Sequence, residues 1–425
     1  KPVDPFYRVV FPEGEVFDYV GDEDRLLDQI GQFNKADVDG YKKMANHARE
    51  IFEKGYLELA DQPFSRVSDM LRVAPTMVKL QNYRSVYGLV SKYIRDPRLR
   101  QVFTFEPLLV GGNPFNVSSI YMLIHWLERK WGVHYAVGGT GAIVAGLQRL
   151  LQELEVDIRL SSPVDEIVVE GGKATGVVLE DGEKISADVV VANADPSTVY
   201  KNLIPASARK KHTDRRIDKM RQSMSLYVIY FGTKKTYEDL AHHTIYLGPR
   251  YKELLHDIFE KKVLADDFSL YLHAPTRSDA SMAPPGHECF YVLSPVPNQA
   301  SGLNWEDHNK EYCDRILSFL DKNHVPGLQE NLVTCKTVDP RYFEGPMRSL
   351  KGAAFGPEPR LTQSAYFRYH NESEDVGGLY FVGAGTHPGA GVPGVLNSAK
   401  VLDRVVPAVE GAGEITVEKL KRRVA

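Results

Sequence analysis

The stretch Tyr380–Gly394, YFVGAGTHPGAGVPG, decides how the rest of the chain is read. It overlaps the apolar run Leu379–Val382, carries five glycines, and leads into a segment where Val395, Ala399, Leu402 and Val405 recur at helical spacing. This pattern predicts a buried strand that turns at Gly383-Ala384-Gly385 and enters a helix at Pro393-Gly394, since proline suits a first helical turn. Such a unit brings backbone amides and the positive end of a helix dipole against a flat, electron-accepting or anionic ligand.

Outside that stretch, composition narrows the field. The chain has 425 residues, enough for two or three domains, with 43% hydrophobic and 25% charged residues, as in soluble globular proteins. A formal charge of -4 gives no general pull toward nucleic acid. Three cysteines without a C-x-x-C pair signal neither a disulfide framework nor a zinc site, and a reducing compartment fits them. No apolar run approaches the ~18 residues of a membrane span, so any membrane contact is expected to be peripheral. The sequence begins at Lys1 and passes at once into two β-prone runs around Pro12-Glu13-Gly14, a hairpin turn, and reads as a fragment that opens partway through a domain.

From Asp22 to Lys130 the pattern is helical. In VSDMLRVAPTMVKLQNYRSVYGLVSKYIRD, Met70, Leu71, Val73, Met77, Val78 and Leu80 form an apolar side, and Lys79, Arg84, Lys92 and Arg95 add positive charge. Pro75 is expected to split this stretch into two helices. The pattern fits both a half-buried helical subdomain and a membrane-surface helix.

The segment VHYAVGGTGAIVAGLQRLLQELEVDIRL imitates a dinucleotide fingerprint, with Ile143, Val144, Leu147, Leu150, Leu151 and Leu154 on one helix face. It fails as one. Val144 stands where the third glycine belongs, and the next strand runs into Ser161-Ser162 where an acidic residue would hold a ribose. Beyond it, Gly171-Gly172 and Asp181-Gly182 between β-prone runs predict a small antiparallel meander that returns to a buried strand at Val189–Ala192. The aromatic runs SLYVIYFG, FSLYLHAP and CFYVLSPVP suggest one sheet. The basic run Ala208–Lys219 reads as a solvated helix face. His242-His243 have no further ligand at metal spacing, and adjacent strand residues point to opposite faces, so no metal site is expected.

At Gly378–Ser398 the sequence resembles the C-terminal signature of the carotenoid desaturases, within the flavin amine oxidase superfamily. The match runs without a break from Gly383 to Val392 and ends at Ser398. Further stretches resemble the bacterial and fungal phytoene desaturases: LLVGGNPF (108–115), SSIYMLIHWLERKWGV (118–133), AHHTIYLGPRYKEL (241–254), DFSLYLHAP (267–275) and LTQSAYFRYHN (361–371). The resemblance covers the chain to about Lys400; EGAGEITVEKLKRRVA beyond it departs from the family's usual ending.

The resemblance implies a mixed α/β (α+β) chain holding a partial FAD-binding Rossmann-like domain (132–200 and 372–405). It adds an inserted sheet domain that binds substrate (1–30 and 201–371) and a helical, membrane-facing subdomain (31–131). Family members open with a G-x-G-x-x-G segment that holds the ADP half of FAD, and this sequence does not contain it. The implied cofactor is FAD, held by Gly383, Ala384, Gly385, Thr386, Pro393, Gly394 and Val395 on its ring side and by Val164 near the adenosine. Asp69 and Arg72, in SDMLR, are implied to face the flavin as catalytic groups; as bare residues three apart on a helix they read as a surface ion pair.

The implied reaction is desaturation of phytoene toward lycopene, at the cytoplasmic face of the cell membrane, with oligomeric state and electron acceptor open. Two other readings stay open. One is another flavoenzyme of the superfamily acting on a related lipid, such as a diapocarotenoid desaturase, a carotenoid isomerase or a ketolase. The other is a flavin-free fragment that binds or scaffolds.

Overall fold

A computed structural model describes residues 1–408; the C-terminal EGAGEITVEKLKRRVA lies outside them. Its strands are β1 (Tyr7–Val10), β2 (Val16–Tyr19), β3 (Val164–Glu170), β4 (Lys173–Leu179), β5 (Lys184–Ser186) and β6 (Val190–Ala192). They continue with β7 (Ser225–Thr233), β8 (His243–Tyr246), β9 (Leu270–His273), β10 (Glu288–Val296), β11 (Leu332–Val338) and β12 (Leu379–Phe381). A seven-stranded sheet has the order β11-β7-β10-β9-β8-β1-β2. Its three aromatic-rich runs, read from sequence as one sheet, are the neighbours β7, β10 and β9.

The alternation of side chains along β7 explains why that run is apolar throughout. Leu226 and Val228 pack into a core shared with the helices of residues 23–131, while Tyr227, Ile229 and Phe231 pack into a second core with Trp305, Ile316 and Leu320 of the helix Trp305–Asn323. The N-terminal hairpin closes as its turn residues predict, with Tyr7 opposite Tyr19 and Gly14 at φ 92°, and β1 then joins the sheet by pairing parallel with β8.

The glycine-rich turn belongs to a different layer. β12 pairs in parallel with β6, Leu379 opposite Val190 and Phe381 opposite Ala192, and the meander β3-β4-β5 is tied to the approach of β12 where the Ala174 amide donates to the Gly377 carbonyl at 2.8 Å.

Three local expectations are corrected. Pro75 lies inside one helix, Val67–Lys79; the break comes after it, at Gln81 with φ 57°. The bond Pro75 cannot donate would end on the exposed turn at Leu71, where water replaces it. β6 is not a buried strand, since Val191 is exposed. The helix Thr140–Glu153 forms as read, yet none of its residues is buried, and Ile143, Val144, Leu147 and Leu151 lie open as an apolar face. No helix among the described residues is long and apolar enough to cross a membrane.

The first core also encloses a polar cluster. The Tyr7 hydroxyl donates to Glu128 Oε1 at 2.8 Å, and His125 lies 3.3 Å from Glu106 Oε1 between the hydroxyls of Tyr19 and Tyr41. Burial pushes the Glu128 carboxyl well above its ordinary 4.5, and the Glu106 charge adds to this. A carboxyl raised on folding contributes stability that is complete below 4.5 and is lost as pH rises through its folded value. Glu128→Gln should remove that slope. Urea unfolding between pH 5 and 7 is expected to show the variant gaining on wild type by up to about 1.4 kcal/mol per pH unit; parallel profiles would mean that Glu128 is ionised in the core.

Candidate functional site

The turn after β12 is built by close approach of a second turn, the one after β6. A Cβ on Gly383 would stand 2.4 Å from Asn193 Oδ1, and one on Gly385 would stand 2.3 Å from Pro196 Cδ. Gly383 also sits at φ 99°. These two glycines are therefore fixed by the neighbouring chain as much as by any ligand.

Buried polar side chains hold the outline of the loop. Arg368, completely enclosed, donates from Nη2 to the Ala384 carbonyl (2.6 Å), from Nε to that of Thr386 (2.9 Å) and from Nη1 to that of Pro357 (3.2 Å). Asn371 Nδ2 donates to the carbonyls of Phe381 and His387 at 3.2 and 3.0 Å. The Gly383 amide donates to Ser398 Oγ at 2.9 Å, which joins the turn to the helix Val392–Val405.

That helix begins at Val392, with Pro393 in its first turn, and its N-cap, Gly391 at φ 94°, supplies no side-chain hydrogen bond to the leading amides. Its buried face carries Asn397, Ser398 and Val401 rather than the apolar positions picked out by spacing. Val392 is 73% exposed and Leu396 58% exposed at an otherwise well-packed loop. An uncapped helix start beside bare apolar side chains matches a flat ring with one polar, electron-rich edge: amides for the edge, Val392 and Leu396 for the face.

Two apolar cavities, each about 300 Å3, approach this unit from different sides. The first is lined by Tyr7, Leu108, Leu109, Tyr271 and Phe355 among others. Its wall at Leu108–Leu109 continues into Val110, whose Cγ1 is 3.2 Å from where a Gly391 Cβ would be. The second is lined by Phe64, Met70, Val73, Met77 and Tyr121, and reaches His387 and Pro388 of the glycine stretch.

His387 is the group that reading the stretch as a glycine motif missed. It is buried at the edge of the second cavity, its ring edge-on to Phe64 with centroids 5.0 Å apart; no side chain hydrogen-bonds either ring nitrogen, and the Gln62 backbone lies close enough to favour its protonation. Burial, reinforced by the Arg368 charge, holds its pKa down at about 4, so at neutral pH it is an uncharged base in an apolar chamber.

The structure gathers Gly383, Ala384, Gly385, Thr386, Pro393, Gly394 and Val395 into this one unit, with Thr386 beneath it, its hydroxyl donating to the Gly383 carbonyl at 3.1 Å. Val164 opens β3 and accepts at its carbonyl from Arg348 Nη1 at 3.2 Å. Asp69 and Arg72 sit elsewhere. They pair with each other at 3.5 Å on the first turns of the helix Val67–Lys79, and Asp69 also accepts the Arg66 amide as part of the helix cap. The Arg72 side chain is 68% exposed and neither residue lines a cavity. Helical phase accounts for part of this: Met70, Val73 and Met77 face inward, Arg72 lies on the opposite face, and Asp69, 19% exposed at its side chain, flanks the inward face.

A cradle of this kind, fed by apolar cavities, belongs to a redox enzyme. The chain is a member of the flavin-containing amine oxidoreductase family, whose pattern matches residues 1–401; it is an oxidoreductase, and a flavin is the cofactor of its class. Within that class it is 46% identical to the lycopene-forming phytoene desaturase of Paracoccus sp. over 406 residues, which cover 95% of this chain and 81% of the relative. It is 47% identical to the lycopene-forming phytoene desaturase of Pantoea ananas (94% and 81% covered) and 43% identical to the neurosporene-forming enzyme of Rhodobacter capsulatus (96% and 79%). Among solved structures it shares the fold of a putrescine oxidase (TM-score 0.56, 13% identity, covering 95% and 82%). It also shares that of the cyclohexylamine oxidase of Brevibacterium oxydans (TM-score 0.53, 13%, 96% and 82%).

Gly385→Ala should report on the packing of the two turns. Pro196 Cδ belongs to a rigid ring and cannot swing aside, so the added methyl is expected to cost about 1–3 kcal/mol and to lower the flavin-to-protein ratio. Gly141→Ala, within the helix Thr140–Glu153 and meeting nothing within 4 Å, serves as a control that leaves the flavin ratio unchanged and raises stability by at most about 1 kcal/mol.

Proposed function

We propose that this protein desaturates phytoene toward lycopene, using FAD and docking peripherally on the cytoplasmic face of the cell membrane. The observation that carries the reading is the apolar cavity that ends on His387. A hydrocarbon offers no polar anchor, so its binding comes from burial at about 25 cal/mol per Å2, and both cavities are walled almost wholly by apolar and aromatic side chains. The names of the most similar relatives supply the particular substrate.

In this reading Gly383, Ala384, Gly385, Thr386, Pro393, Gly394 and Val395 hold the ring of FAD, and Val164 lies toward its adenosine. Residues 132–200 and 372–405 form the FAD side, residues 1–30 and 201–371 the substrate side, and residues 31–131 the membrane side. The exposed apolar face of the helix Thr140–Glu153 is then a surface of the FAD side. A bound flavin supplies the hydride acceptor.

The chain's own share is to press one C–C single bond of the substrate toward the helix start and to take up the proton. Loss of hydride leaves an allylic cation whose adjacent C–H is strongly acidic. Loss of that proton to the neutral imidazole of His387 completes the double bond, so one hydride and one proton leave for each bond formed. A weak base suffices for so acidic a proton, and an uncharged ring does not repel the cation. Phe64 packs edge-on to the His387 ring and Tyr121 lines the same cavity.

The helix Val67–Lys79 roofs the same cavity from the other side. Met70, Val73 and Met77 face in, Val78 stands at the cavity rim, and Val67 and Leu71 are exposed on the outer side. That double-sided character supports entry of the lipid from a bilayer. Replacing Val67 and Leu71, which line no cavity, by serine should abolish flotation with anionic liposomes; unchanged flotation overturns the membrane assignment. The function itself is tested by expressing the protein from its complete gene in cells that accumulate phytoene. Conversion to lycopene or a partly desaturated intermediate is expected, and phytoene left unchanged beside a flavin-loaded protein defeats the proposal.

A further inference from the structure

We infer that His242, His243 and His273 form a binding site for one divalent first-row transition cation, of which Zn2+ is the type. The adjacency rule that excluded a metal at His242-His243 does not apply, because β8 begins at His243 and His242 stands in the bend before it. Both rings therefore reach the same side. The third histidine comes from across the sheet: His273, the last residue of β9, is the antiparallel partner of His243.

The geometry is that of a nearly closed three-nitrogen set. One ring nitrogen from each histidine lies within 4.8 Å of the other two, and the Nε2 atoms of His242 and His273 are 3.0 Å apart. In a tetrahedral site with bonds of about 2.0–2.1 Å, ligand nitrogens stand roughly 3.3 Å apart, so the pair is almost at its working separation. Two rings are already oriented by their far nitrogens. His242 Nδ1 is 2.7 Å from Ser278 Oγ, and His243 Nδ1 is 2.6 Å from the Tyr271 hydroxyl. Where the hydroxyls accept, each Nδ1 carries the proton and Nε2 is free to ligate, with the rings held in orientation from behind. His273 Nδ1 is enclosed and has no partner, so protein hydrogen bonds do not fully account for this ring.

Neutral imidazoles without a carboxylate select Zn2+, Co2+, Ni2+ or Cu2+ over Mg2+ or Ca2+. Water takes the fourth position. The first cavity, which His243 lines, gives the ion a way in. Bound there, the ion would clamp β8 to β9 and to the turn that carries Ser278, at the wall of the first cavity.

The full-length protein, stripped with chelator and then freed of it, is to be titrated with Co2+. One equivalent should bind with the visible d–d absorption of a low-coordinate site, and Zn2+ should displace it. Single replacements His242→Gln, His243→Gln and His273→Gln should each weaken binding at least ~30-fold, whereas His324→Gln, outside the cluster, should not. The metal-free melting temperature and far-UV circular dichroism check that the variants fold. Wild-type crystals soaked in Zn2+ need no variant and should show an anomalous peak between the three rings. Absence of the band in excess Co2+, its persistence in the triple variant, or an anomalous peak elsewhere only, overturns the site.

Discussion

His387→Gln is expected to slow phytoene turnover by ~10²–10³-fold while leaving flavin content and melting temperature close to those of wild type. General-base groups contribute about 10²–10⁴-fold when correctly placed, and glutamine keeps most of the volume of the ring without its basic nitrogen. Because no side chain hydrogen-bonds either ring nitrogen, the substitution disturbs at most the contact with the Gln62 backbone, which the glutamine amide can also make. A structural role would therefore show as lost stability with activity per folded, flavin-loaded molecule preserved, the opposite of the expected pattern. The pH profile separates the two further. With its pKa held at about 4, His387 is in its basic form throughout the neutral range, so wild-type kcat/KM should be flat from pH 8 down to about 5 and fall as pH approaches 4. The Gln variant should lack that limb. Equal rates for both proteins would remove His387 from the mechanism and leave proton loss to water.

How much of this was legible beforehand follows from the range of the interactions. Signals carried within a few residues were readable: the Gly-Gly and Asp-Gly hairpins of the meander, the alternating strands of the large sheet, and the strand–turn–helix around Gly383. Signals that depend on a distant partner were not. The sequence shows a glycine at 385 but not that Pro196 occupies the space of its side chain, and it shows two adjacent histidines but not that β9 brings His273 opposite. The resemblance marks Asp69 and Arg72 as a pair, but not that Arg72 would lie 68% exposed while Asp69 caps its own helix through the Arg66 amide. His387 was in plain view inside the decisive stretch. What singles it out is a ring buried in an apolar cavity with no side-chain hydrogen bond, which no local pattern records.

Arg368→Met should unfold the glycine loop. The guanidinium donates to three carbonyls, of Pro357, Ala384 and Thr386, and no carboxylate pairs with it. Each hydrogen bond from a charged donor is worth about 1.5–3 kcal/mol, so losing three costs about 5 kcal/mol or more and leaves buried carbonyls unsatisfied. Methionine returns part of this, because a cation no longer has to be buried, as the lowered pKa of Arg368 shows it now is. The lost hydrogen bonds outweigh that relief, and a net loss of about 3 kcal/mol is expected, seen as a lower urea midpoint together with loss of bound flavin. Arg368→Lys separates charge from geometry. It keeps the cation but, as a compact point charge on a flexible stem, cannot reach three carbonyls in a plane. It should therefore fall well short of wild type in both stability and flavin content. A lysine variant equal to wild type would mean that the loop needs only a positive charge beneath it, and a methionine variant equal to wild type would mean that the loop holds its shape through Asn371 and Ser398 alone.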